Sequence, residues 1–153
     1  MTTRTAARRS GLVLVVAGVA SIVSACGLLG MGDGGAMQGD WVLVEAEDAE
    51  GSFDLTAADV TLSVDGSSIS GTAACNLYGA TVVGRVDYSD ELPVRVDGLF
   101  QTEMACLDEK LMQVEARYLR ALGAVEAGLR IDSDTMALFS DDVRLVFDLV
   151  IDG

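Results

Sequence analysis

The residues of this 153-residue chain that could carry chemistry are its acids and its three cysteines. Glu45, Glu47, Glu103, Glu109 and Glu115 form the stock from which an acid and base pair for hydrolysis could be drawn. With 24 Asp+Glu in the chain, neighbouring carboxyls arise through abundance alone, and their spacing marks out no pair. Histidine is absent, which removes Ser-His-Asp and Cys-His mechanisms, imidazole metal ligands and the usual proton shuttle near neutral pH. Asp132-Ser133-Asp134 opens like a calcium loop. Met136 and Ala137 stand where that loop needs a further oxygen ligand and its glycine, so the segment reads as a turn. No glycine-rich phosphate loop joins a strand to a helix in the mature part of the chain. The expectation is therefore a protein without catalysis, metal or cofactor. A formal net charge of -14, with Lys110 as the single lysine, also argues against a nucleic-acid partner.

Cys26 stands apart from the other two cysteines because of what precedes it. Arg4, Arg8 and Arg9 lead into a small and apolar run of 15 residues, Gly11 to Ala25. That is shorter than the roughly 20 residues a membrane-spanning helix needs, and it reads as a signal-peptide core. Its end, Val23-Ser24-Ala25-Cys26, resembles a bacterial lipoprotein signal. The resemblance implies diacylglycerol on the Cys26 sulfur and cleavage just before it; an uncleaved short anchor and an ordinary secreted protein are the alternatives. The chain then divides into a signal peptide (1–25), a lipidated cysteine with a glycine-rich tether (26–39) and a folded domain (40–153). Removing residues 1–25 leaves 7 Lys+Arg against 24 Asp+Glu, a mature net charge of -17. Anionic bilayers repel such a chain, so the lipid at Cys26 has to hold it to the bacterial cell membrane, with the domain on the extracytoplasmic side. Six of the thirteen residues from Gly27 to Gly39 are glycine, the composition of a flexible linker.

With Cys26 lipidated, Cys75 and Cys106 remain as an even pair in an exported, disulfide-permissive compartment. A disulfide between them is the economical reading. Closing a loop over 31 positions is worth roughly 3–4 kcal/mol by chain-entropy reasoning. A reactive thiol or a metal pair is the rival, but no histidine activates either cysteine and two thiolates make an incomplete zinc site.

These residues have to be positioned by a mainly β domain with one helix. Trp41 to Glu45, Val60 to Val64, Ile69 to Ala73, Ala80 to Val86 and Val94 to Val96 read as strands, with Asp65-Gly66 as a hairpin turn. Leu107, Leu111, Val114, Tyr118, Leu122 and Val125 recur at spacings of three and four, which predicts one amphipathic helix between Leu107 and Val125. Leu129 to Ile131, Met136 to Phe139 and Val143 to Val150 complete the strands, separated by Ser133-Asp134 and Ser140-Asp141-Asp142. In the last of them Val146 and Val150 face away from Leu145 and Phe147, which predicts cover on both sides. The expected fold class is α+β, mainly β: a curled antiparallel sheet or partly open barrel packed around one α-helix.

Ala74-Cys75-Asn76-Leu77-Tyr78-Gly79 and Thr102-Glu103-Met104-Ala105-Cys106, followed by a helix with Glu115 and Leu119, resemble the META domain, or HslJ-like, family. The opening Gly39-Asp40-Trp41-Val42-Leu43 also fits that family, and the resemblance spans Gly39 to about Val150. Ala74 departs from the family's preference for glycine, and Glu103 stands where arginine is frequent. The resemblance implies a small β-rich domain wrapped around one helix, in envelope proteins linked loosely to stress or antibiotic tolerance and with no established enzymatic activity. Trp41, Asn76, Tyr78, Thr102 and Met104 are expected to be structural. Asn76 would shape the bend after the bridged cysteine, Tyr78 and Met104 would pack around the bridge, and Thr102 would satisfy backbone groups near the helix start. Function is then expected to be that of a monomeric, membrane-tethered, non-catalytic domain contacting other envelope proteins. The alternative is a small-ligand carrier using the mouth of the curled sheet.

Overall fold

Alternating apolar and polar side chains fix which face of each strand is buried, and in this chain the buried faces curl onto one another. The structure is a computed structural model that describes residues 34–104 and 106–151. Cys26 and the expected signal peptide lie outside the described residues. The elements are β1 (Gly34–Gly35), β2 (Gly39–Asp48), β3 (Gly51–Ser52), β4 (Thr61–Asp65), β5 (Ser68–Ala73), β6 (Asn76–Val86) and β7 (Leu92–Gln101). After them come α1 (Glu109–Gly123), β8 (Ala127–Arg130), β9 (Thr135–Phe139) and β10 (Arg144–Leu149).

β2, β4, β5, β6, β7, β8, β9 and β10 pair in chain order, each antiparallel to the one before, and β10 returns to pair with β2. The expected curled sheet thus closes into an eight-stranded up-and-down barrel. Closure removes the free edges at which unpaired backbone groups would recruit other chains. β1 adds to β6 in parallel and β3 forms a short hairpin with β2. The barrel is narrow enough for side chains to fill it, and Trp41, Leu62, Ile69, Val82, Met136, Leu138, Leu145 and Phe147 do so with at most 2% exposure.

The helix lies across one end of this barrel, touching β2, β5, β7 and β10 from around the ring. Val114, Tyr118, Ala121 and Leu122 form its buried stripe. Its start differs from the periodicity. The Asp108 side chain accepts from the backbone N–H groups of Lys110 and Leu111, so Asp108 is the N-cap and the helix begins at Glu109. Leu107 precedes the cap and is fully exposed, while Val125 is buried from the connection beyond Gly123.

The opposite end is closed from residues 34–39, which composition assigns to the tether. Met37 is fully buried there, and its carbonyl accepts from the Trp41 indole Nε1 at 2.7 Å. Arg130, only 4% exposed, places its guanidinium over the rings of Trp41 and Tyr88 and donates to the carbonyls of Ala36, Asp132 and Ser133. Its charge thus sits on aromatic faces and carbonyl dipoles rather than on an acid.

Candidate functional site

Cys75 and Cys106 are joined by a disulfide with Cα atoms 5.8 Å apart, binding the β5–β6 turn to the segment that leads into the helix. The turn before the bridge is tight. Ala74 has φ 60°, so the left-handed residue is Ala74 and not Asn76. Asn76 is instead the first residue of β6, 5% exposed, and acts through its side chain.

That side chain is held by Glu115, which the helix stripe brings over the end of the barrel and which is 7% exposed. One Glu115 oxygen accepts from the Asn76 backbone N–H at 2.7 Å and the Cys75 N–H at 3.2 Å; the other accepts from Asn76 Nδ2 at 2.9 Å. The amide oxygen Oδ1 of Asn76 accepts from the Thr102 hydroxyl at 2.9 Å and the Met104 N–H at 2.6 Å. Thr102 Oγ1 in turn accepts from Leu77 N–H at 3.1 Å. Thr102 therefore serves the start of β6 rather than the helix start. Met104 contributes its backbone, while its side chain is 58% exposed and does not pack as expected.

Tyr78 enters the core two residues after Asn76. Its hydroxyl donates to the Thr61 carbonyl at 2.8 Å and lies 2.7 Å from the Tyr118 hydroxyl, so the Tyr118 proton points to Tyr78. The rings meet edge to face with centroids 5.5 Å apart. Gly71 makes room for this arrangement: a Cβ there would stand 2.1 Å from the Thr61 carbonyl oxygen. Burial pushes both phenols above their ordinary range, against the opposing effect on Tyr78 of its bond to Tyr118.

Next to this junction Arg117 reaches down from the helix to Asp48 at the end of β2, to the carbonyls of Gly51 and Ser52, and over the Phe53 ring at 4.1 Å. The guanidinium hydrogen bonds hold the Asp48 carboxyl below the usual carboxylate range.

The other sequence candidates fall elsewhere. Trp41 belongs to the opposite end of the barrel. Glu45 is exposed and 3.6 Å from Arg144, and Glu47, Glu103 and Glu109 are exposed, so Glu115 alone of the five carboxyls is buried. Asp132 accepts from the N–H groups of Asp134 and Thr135, the geometry of a turn. Among the described residues no group of three or more acids or cysteines could hold a metal ion, and no helix is long and apolar enough to cross a membrane. Among them, too, every buried side-chain nitrogen and oxygen has a hydrogen-bond partner. The junction is thus a clasp whose donors and acceptors answer one another.

A closed eight-stranded meander barrel, stoppered by one helix that a bridged cysteine and a buried Asn–Glu pair hold in place, defines the class of domain. Residues 35–149 match the META domain, and the chain belongs to that family. An NMR structure of a protein from Burkholderia xenovorans is similar at 25% identity and a TM-score of 0.58, covering 75% of this chain and 83% of that one. A second NMR structure is 19% identical with a TM-score of 0.48, covering 73% of this chain and 89% of the other. Among curated proteins nothing matches.

Proposed function

We propose that the protein is a non-catalytic domain of the bacterial envelope, held at the extracytoplasmic face of the cell membrane by lipid on Cys26, where it contacts other envelope proteins under stress. The observation that carries the non-catalytic reading is the clasp itself. Glu115, Asn76 and Thr102, three polar side chains of the family segments and their helix, spend their hydrogen bonds on one another and on the backbone of Cys75, Asn76, Leu77 and Met104. A catalytic group has to keep an atom for the substrate. The carrier alternative needs an open mouth, whereas the helix covers one end of the barrel and Met37, Trp41 and Arg130 fill the other.

The fold also suits the anchor. Gly34 pairs with Arg85 near the end of β6, far from the helix, so a short link from Cys26 would turn that end toward the bilayer and the helix end away from it. The mature charge of -17 keeps the domain off anionic headgroups, leaving the lipid as the attachment. Fractionation of the native host tests this reading. The wild-type chain should sediment with membranes and carry a lipid mass on an N-terminal Cys26, and Cys26→Ser should release it. A Cys26→Ser chain that stays in the membrane fraction would overturn the anchor.

A further inference from the structure

β9 and β10 are buried on both faces, although only one of those faces looks into the barrel. Met136, Leu138, Leu145 and Phe147 point inward and belong to the core. Leu129, Ala137 and Val146 stand in register across β8, β9 and β10 on the outer face, and Ala137 and Val146 are only 2% and 6% exposed there. Small Ala137 between larger neighbours makes a floor. Leu129, Ile131 and Phe139 rise around it, giving an open groove of about 550 Å³. That lies within the roughly 300–1,000 Å³ of ordinary binding sites. Ile131 is 48% exposed, so the apolar lining is open to solvent.

The rim of this groove is predominantly acidic, with Arg144 as its one basic side chain. Glu47, Glu91, Asp141 and Asp142 border it, all exposed and without a basic partner among the described residues. The two guanidinium groups nearby are engaged, Arg117 with Asp48 and Arg144 with Glu45. An apolar floor inside an acidic rim rejects an anionic bilayer. It rejects a second copy of this chain as well, because the same acids would face one another.

We infer that the outer face of β8, β9 and β10 is a docking groove for a cationic peptide segment with apolar side chains, presented by an envelope partner. Apolar side chains cover Leu129, Ala137 and Phe139, and Lys or Arg between them meet the acids of the rim. The inference goes beyond the proposed function: the groove is built by β8, β9, β10 and the loops beside them, and only the envelope origin of the partner rests on the proposed location.

The experiment uses the full chain in a zwitterionic detergent and a dye-labelled peptide of alternating Lys and Leu, with a Glu and Leu peptide as control. Saturable binding of the Lys and Leu peptide alone is expected, weakening as salt rises. The triple variant Glu91→Gln, Asp141→Asn, Asp142→Asn and the single variant Ile131→Ser should each weaken binding about tenfold or more, equivalent to about 1.4 kcal/mol. All four positions are exposed, so the fold should survive. A triple variant of equal charge change away from the groove, Asp65→Asn, Glu103→Gln, Glu109→Gln, should bind like wild type. Equal loss in both triple variants would reduce the effect to net charge and overturn the groove, as would absence of saturation. Groove-dependent binding of anionic vesicles, or self-association that the groove variants abolish, would also overturn the assignment to a cationic peptide.

Discussion

Glu115 and Asn76, 39 positions apart in sequence, meet through the Asn76 backbone N–H and its side-chain amide, one on each carboxyl oxygen of Glu115. A helix residue thereby fixes the first residue of a strand across the end of the barrel. Glu115→Ala removes the acceptor for three N–H donors, those of Cys75, Asn76 and the Asn76 amide. Burying such donors unpaired should cost about 2–4 kcal/mol, seen as a lower urea midpoint. Glu115→Gln, which keeps one acceptor oxygen, should lose less. A midpoint unchanged in both would show that the clasp contributes nothing to stability.

The paired phenols of Tyr78 and Tyr118 predict an alkaline limit to stability. Both titrate above their ordinary value of 10 in the folded chain, chiefly because burial disfavours the phenolate. Their contribution is therefore complete below pH 10 and is lost as pH rises from there toward the raised folded values. The unfolded chain releases its protons first, so stability should fall by about 1.4 kcal/mol per pH unit for each tyrosine. Tyr78→Phe should make that slope shallower, and Tyr78→Ala should cost about 3–5 kcal/mol at neutral pH by leaving a cavity. Denaturant unfolding across the alkaline range, followed beside tyrosinate absorbance, measures both.

Much of this architecture is legible in the side-chain periods. Trp41 to Glu45 falls within β2, Ile69 to Ala73 within β5, and Met136 to Phe139 within β9, because short apolar or alternating runs bounded by turn residues mark the strands of a core. The partner of each strand is not legible that way, and so the closure of β10 onto β2 does not follow from the pattern. The first residues of β6 were also hidden. Asn76 and Leu77 extend the strand because Glu115 and Thr102 hold them, and neither contact leaves a local mark. Glu115 could be noticed as an acid in line with the helix's apolar stripe, though its partners lie on another element. Arg130 closes the far end for a comparable reason: its aromatic faces and carbonyls come from four separate stretches of chain.

Ala74 carries a strain that a single methyl group creates. At φ 60° its Cβ crowds the following carbonyl, a cost of roughly 1–2 kcal/mol that glycine avoids. Glycine loses part of that advantage through the greater freedom of the unfolded chain. Ala74→Gly should therefore stabilise the domain by about 0.5–1 kcal/mol with the disulfide intact. A raised urea midpoint at unchanged slope is the expected result, and a lowered one would show that the turn prefers the methyl group.

Arg117 ties the helix to the β2–β3 hairpin, and its ion pair with Asp48 should shape the acid side of the stability curve. The hydrogen bonds from the guanidinium lower the folded pKa of Asp48 from its ordinary 3.8. The pair's contribution is thus present above that unfolded value and is lost as pH falls below it, through the depressed folded value. Arg117→Ala removes the pair, the bonds to the Gly51 and Ser52 carbonyls and the contact over Phe53. It should cost about 1–3 kcal/mol at neutral pH, since the partners are only partly sheltered. Lysine cannot reproduce the fork, so Arg117→Lys should recover only part of the loss. The gap between wild type and Arg117→Ala should narrow as Asp48 takes up its proton in acid, which parallel urea titrations at neutral and low pH would read. A gap that stays constant to the lowest pH would assign the effect of Arg117 to its stacking and carbonyl contacts instead of the charge on Asp48.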